Sequence, residues 1–245
     1  MSRPADWTPL AAADPVPGDP VEVALAGRRL RQAADQMSAD VSWLRSLCTA
    51  RFWDYGAGQA FRGQVDDAAA RLAQARDRYL AAGEALGSSV TGPGYAGALE
   101  AAQSLSLRAR AQARQAWSAM RAQLAAMHGS APSAGTPPVT GLTALTGLPR
   151  LDSSGNPVPM AAPAGAGPRL SAAVSLYNAA GLEYRTAKGR LAEAIASRDE
   201  AAARAVAAIQ AAVGADGPQD QTGLWHDVTV TGSRSTRRHD QKQCG

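Results

Sequence analysis

Two runs of apolar residues, one on each side of a short break, keep the alternating three-and-four spacing of a heptad. Leu30, Ala34, Met37, Val41, Leu44 and Cys48 make the first. Phe61, Val65, Ala68, Leu72, Ala75, Tyr79, Ala82 and Leu86 make the second, unbroken over more than three heptads. On a helix this spacing gathers the apolar side chains into one stripe. Two long helices joined by a connection of about ten residues must lie antiparallel, side by side.

The break between the runs, Arg51 to Phe61, is unusual for this chain. Aromatic residues make up only 5% of the sequence, yet Phe52, Trp53, Tyr55 and Phe61 all fall here, beside Gly56, Ala57 and Gly58. At its plainest this is a hairpin corner packed with rings. It also carries more aromatic area than a corner needs, which makes Trp53, Tyr55, Gly56 and Phe61 the candidate partner-binding residues.

The rest of the chain reads as helix and punctuation. Residues 1–18 are rich in Pro, Asp and Ala and predict an extended arm, with Trp7 and Leu10 as its anchors. Asp19, Pro20 and Glu22 then supply an N-cap, a first-turn proline and a capping-box acid. The first helical hairpin is thus expected over 19–87, its first helix ending near Leu47 and its second starting near Phe61. Gly87 to Gly94 breaks it. A third helix follows from about Tyr95 to Met127, striped by Leu99, Ala102, Ser106, Ala109, Ala113, Trp117, Met120, Leu124 and Met127. At the rise of an α-helix it would be about 50 Å long. A fourth begins at Pro168, carries Leu170, Val174, Tyr177, Gly181, Tyr184, Leu191, Ile195, Ala202, Ala205, Ile209 and Val213, and stops near Gly214. Together they predict a second hairpin over 95–214. It is interrupted by a flexible Pro/Gly/Ser-rich connection at 129–168 with a short packed piece around Leu142–Leu151. Residues 215–245 predict a disordered or loosely docked tail. The fold class is all-α: long antiparallel helical hairpins in an elongated bundle.

Composition narrows the function. Most of the 45% hydrophobic fraction is alanine, which favours helix but buries little area, so the core is thin and the helices approach closely. The net charge of +4 is interspersed, with a local excess only at Arg234, Arg237, Arg238 and Lys242. That excludes a concentrated nucleic-acid face. Cys48 reads as a small buried hydrophobe and Cys244 as part of the tail. Nothing at the N-terminus resembles a secretory h-region, and no apolar run approaches the roughly 18 residues of a membrane span. The expectation is a chain made in the cytoplasm that leaves the cell, if at all, without a cleavable signal peptide.

Site chemistry is scarce. His128, His226 and His239 have no ligand-spaced partners. Asp66 and Asp67, like Asp199 and Glu200, are helix neighbours that point to different sides. There is no phosphate loop after a strand and no base near Cys48 in sequence. The sequence therefore predicts no enzyme, no cofactor and no metal site.

A helix, a Trp–Gly turn and a second helix resemble the WXG100 family of type VII secretion substrates. The likeness extends to Asp6-Trp7-Thr8-Pro9-Leu10, to Asp14-Pro15-Val16-Pro17-Gly18-Asp19-Pro20, to Ala60-Phe61-Arg62 and to the helix pair ending near Leu224-Trp225. These look like the N-terminal type VII secretion-signal domain of actinobacterial polymorphic toxins, over roughly residues 5–227. Two residues separate Trp53 from Gly56 where the family has one, and Tyr79 is followed four places on by Gly83 rather than by an acid. The resemblance implies a non-enzymatic secretion-signal or export-adaptor module. It would be recognised by a type VII secretion ATPase or a WXG100-like helical partner. The few residues after it are too short for a catalytic domain, so a toxin leader lacking its toxin is included. The alternative is an intracellular scaffolding protein that assembles through its Ala-rich seams, and open seams admit a homodimer as readily as an internal bundle.

Overall fold

A computed structural model of the protein describes residues 3–48, 56–129 and 148–214. They form four helices: α1 (Pro20–Cys48), α2 (Gly56–Leu86), α3 (Tyr95–Gly129) and α4 (Pro168–Gly214). An isolated bridge between Leu151 and Pro157 is the extended pairing seen among the described residues. The all-α reading holds.

The helix limits follow local chemistry. Asp19 Oδ1 accepts the backbone N–H groups of Val21 (2.8 Å) and Glu22 (3.3 Å), so it caps α1 as its position before Pro20 predicts. Helix α2 begins at Gly56, five residues before the expected Phe61, because nothing in Gly56–Ala60 resists helical dihedrals. It stops at Gly87, whose φ of +81° only glycine adopts freely.

The described chain divides into two compact units that cut across the expected hairpins. The first holds the arm, α1 as far as Arg28, and the chain from Leu86 to Ala203. Here α3 and α4 run antiparallel. Leu99 and Ala102 cluster with Ala194, while Met120, Leu124 and Met127 cluster with Val174, Tyr177 and Tyr184. Trp117 and Tyr184 stack tilted with ring centroids 5.7 Å apart. Outside the apolar seam, Gln112 donates to Glu183 (2.5 Å) and accepts from Arg190 (2.6 Å). Ala109, Ala113, Ala187 and Ala194 are fully buried, so small side chains let the two helices approach closely.

The arm is part of this core. Trp7, 1% exposed, is the largest fully buried side chain described, and Val16 is wholly buried. Leu10, the other expected anchor, is partly buried against the α3–α4 cluster. The Trp7 indole N–H donates to the Pro4 carbonyl (2.9 Å), and its ring lies under the guanidinium groups of Arg3 (5.0 Å) and Arg110 (5.9 Å). Arg3 in turn forms a two-pronged ion pair with Asp14 and donates to Ser106 Oγ (3.1 Å).

That pair makes the arm sensitive to acid. The Arg3 guanidinium holds the Asp14 carboxyl below the usual carboxylate range, helped by the backbone N–H of Val16. A carboxyl with a lowered folded pKa contributes stability that is complete above its unfolded value of about 3.9 and is lost as pH falls through the lower folded value. The expected result is a loss of the near-ultraviolet circular dichroism of Trp7 below about pH 4. Asp14→Asn should start with a weakened arm and lose this part of the transition.

The described half of the 129–168 stretch is tied down where composition predicts a flexible connection. Asp152 Oδ1 accepts the N–H groups of Ser154 and Asn156, both at 2.9 Å, which closes a tight turn. The Asn178 side chain on α4 then holds Met160 in both directions at 2.8 Å, and Lys188 reaches the Ser154 carbonyl. The packed piece expected around Leu142–Leu151 is described only from Leu148. Leu148 and Leu151 are exposed, whereas Pro149 and Pro157 are buried. Residues 142–147 of that piece lie outside the described residues, as does the tail at 215–245.

Gly97 carries one more prediction. A Cβ built on it would overlap the carbonyl oxygen of Gly92 in the α2–α3 turn. Gly97→Ala should cost about 1–3 kcal/mol, measured by urea denaturation, because backbone rather than a side-chain end has to move.

Candidate functional site

The second compact unit holds Arg29–Ala85 and the end of α4 from Arg204. Its burial is sparse. Ala34, Val41, Val65, Ala69 and Ala205 are buried, but Leu30, Met37, Leu44, Leu72 and Tyr79 of the heptad stripes stay half-exposed. The physical cause is the alanine content: a stripe of alternating Ala and larger residues leaves the larger ones standing proud on each side.

A cleft of about 660 Å³ opens in this surface, lined by Leu44 of α1 and by Gln64, Asp67, Ala68, Arg71, Leu72 and Ala75 of α2. Leucine and alanine make its floor. Asp67 and Arg71, one helical turn apart, put opposite charges on its rim. An apolar trough between helices with a polar edge suits the side chains of a partner helix laid along it.

Two of the sequence-predicted residues, Gly56 and Phe61, lie at the start of α2. Gly56 is the exposed first residue of α2, and among the described residues a Cβ on it would meet nothing within 4 Å beyond its own helix. Phe61 lies in the second turn and is half-buried. Trp53 and Tyr55 lie outside the described residues. Trp43 is the residue that sequence reading missed. It is 61% exposed on α1, immediately before the cleft residue Leu44. Its signal was present: a tryptophan off the heptad stripe, on the face where polar residues belong, has no core position to fill.

Among the described residues, no group of three or more His, Cys, Asp or Glu side chains is placed to hold a metal ion. His226 and His239 lie outside the described residues, as does the side chain of His128. The phenols of Tyr177 and Tyr184 are pushed up by burial, and the Tyr184 hydroxyl donates to the Pro9 carbonyl (2.9 Å), which fits a structural role. No helix among the described residues is long and apolar enough to cross a membrane. No protein-family model, curated protein or solved structure matches this chain.

Proposed function

We propose that the protein is a non-enzymatic type VII secretion-signal or export-adaptor module, read through its α1–α2 surface by a type VII secretion ATPase or a WXG100-like helical partner. The observation that carries this reading is the incomplete burial of α1 and α2. Two heptad stripes long enough for a core keep Leu44 and Leu72 half-exposed in an open cleft and leave Tyr79 half-exposed, and Trp43 of α1 is exposed as well. Such a surface is stabilised by a further helix. Phe61, half-buried in the second turn of α2, adds an aromatic anchor on the same helix, and the sequence supplies Trp53 and Tyr55 just before it. Export proceeds with the helical surface formed, since that surface is what is recognised.

The scaffolding alternative has less to rest on. Of the Ala-rich seams that it would use, those on α3 and α4 are occupied, with Ala102, Ala109, Ala113, Ala187 and Ala194 buried within one chain, which leaves it the seam of α1 and α2.

The test is binding of the purified chain to the type VII secretion ATPase of its own cell. Trp53→Ala and Phe61→Ala should each weaken binding about tenfold or more, as expected for aromatic anchors at an interface centre. Affinity unchanged in both variants contradicts the reading.

A further inference from the structure

The arm meets α3 and α4 in a way that separates what the chain body offers from what the arm offers. Four body side chains donate to five arm carbonyls. Arg110 Nε reaches Asp6 (2.7 Å), the Tyr184 hydroxyl reaches Pro9 (2.9 Å) and Arg198 Nη1 reaches Pro15 (3.0 Å). Gln103 Nε2 reaches both Val16 (3.1 Å) and Gly18 (2.8 Å). The arm for its part contains Pro4, Pro9, Pro15 and Pro17, which have carbonyls but no N–H groups. A groove that reads the arm's backbone through side-chain donors therefore faces a segment rich in acceptors, while Arg3 of the arm donates in return to Ser106 Oγ (3.1 Å) and the Gln103 carbonyl (3.5 Å). Two side chains of the arm are buried along the groove: Val16 packs with Leu99, Ala102 and Ala194, and Trp7 lies beneath the guanidinium group of Arg110 on α3.

We infer that the α3–α4 groove is a recognition site for an extended, proline-rich peptide anchored by tryptophan, loaded by the chain's own arm and able to take the same arm from a second copy. Backbone carbonyls read by side-chain donors give affinity that depends little on sequence, and the Trp7 pocket gives specificity, the division of labour seen when extended peptides dock on a groove. Gly18, at φ +122°, is the turn that brings the arm off the groove into α1, so the arm's contacts to α3 and α4 belong to one segment on the near side of that turn. Such a segment can be exchanged between identical copies without loss of any contact. The inference stands on the first compact unit alone and does not depend on the α1–α2 reading.

The probe is a fluorescent synthetic peptide of residues 3–18, added to the full chain carrying Trp7→Ala, in which the tethered arm has lost its anchor. The peptide should bind this variant about tenfold or more tightly than it binds the unaltered chain, whose tethered arm competes at high effective concentration. The same peptide with its own Trp7→Ala should bind at least tenfold more weakly. Absence of binding to a Trp7→Ala chain that keeps its helical circular dichroism overturns the inference, as does equal binding of the two peptides. Should Trp7→Ala lose helix content, Asp14→Asn in the full chain loosens the arm at its ion pair instead and is held to the same two outcomes.

Discussion

Trp7→Ala should lower the stability of the arm-bearing unit by about 3 kcal/mol, seen as a fall of roughly 6–12 °C in its thermal midpoint. The size follows from what the indole does. It is the largest side chain buried in the described structure, its N–H is satisfied within the arm, and two guanidinium groups lie over its ring. Deleting it empties a pocket lined by the arm itself and by Arg110, so the arm can peel away rather than leave a rigid void. That relaxation places the cost at the low end of the usual range for a buried tryptophan. Trp7→Phe, which keeps an aromatic face but loses the donor to the Pro4 carbonyl, should cost less. A Trp7→Ala midpoint within about 2 °C of the unaltered chain would show that the arm contributes nothing to the unit.

Leu124→Ala should cost more, about 3–5 kcal/mol by urea denaturation. Leu124 is fully buried in the cluster shared by α3 and α4, among Met120, Met127, Tyr177 and Tyr184. Its cavity cannot close as an arm detaches, because the walls belong to two long helices already in contact through buried alanines. The contrast is Leu72→Ala at the cleft of α2, where the side chain is half-exposed and the loss should stay below about 1 kcal/mol. Equal losses at the two positions would contradict the difference in packing between the two units.

Much of this architecture was legible in the sequence because periodicity reports on burial directly. Of the α3 stripe read from spacing alone, Leu99, Ala102, Ser106, Ala109, Ala113, Met120, Leu124 and Met127 are buried, with Trp117 partly so. Proline and glycine marked helix ends equally well, at Pro20, Gly87, Pro168 and Gly214. The arm was only half legible. Trp7 announced itself as an anchor, but Asp14, Gln103 and Ser106 act through partners up to about a hundred positions away, and such pairings leave no local pattern. The contacts at 148–167 were not legible for a similar reason. Pro, Gly and Ser describe the turn chemistry correctly, while the side chains of Asn178 and Lys188 that fix the turn lie on α4. The candidate site stays the least legible part. Gly56 and Phe61 were found where the stripe begins, whereas Trp43 became visible only once the exposed side of α1 was known.

Export itself is the most direct test of the account. In cells with an active type VII system, the protein should accumulate in the culture medium and should stay inside when the secretion ATPase is inactivated. Phe61→Ala should reduce the exported fraction without changing the helical content of the purified chain. A protein that stays in the cell under both conditions, or reaches the medium equally in both, contradicts the proposed function.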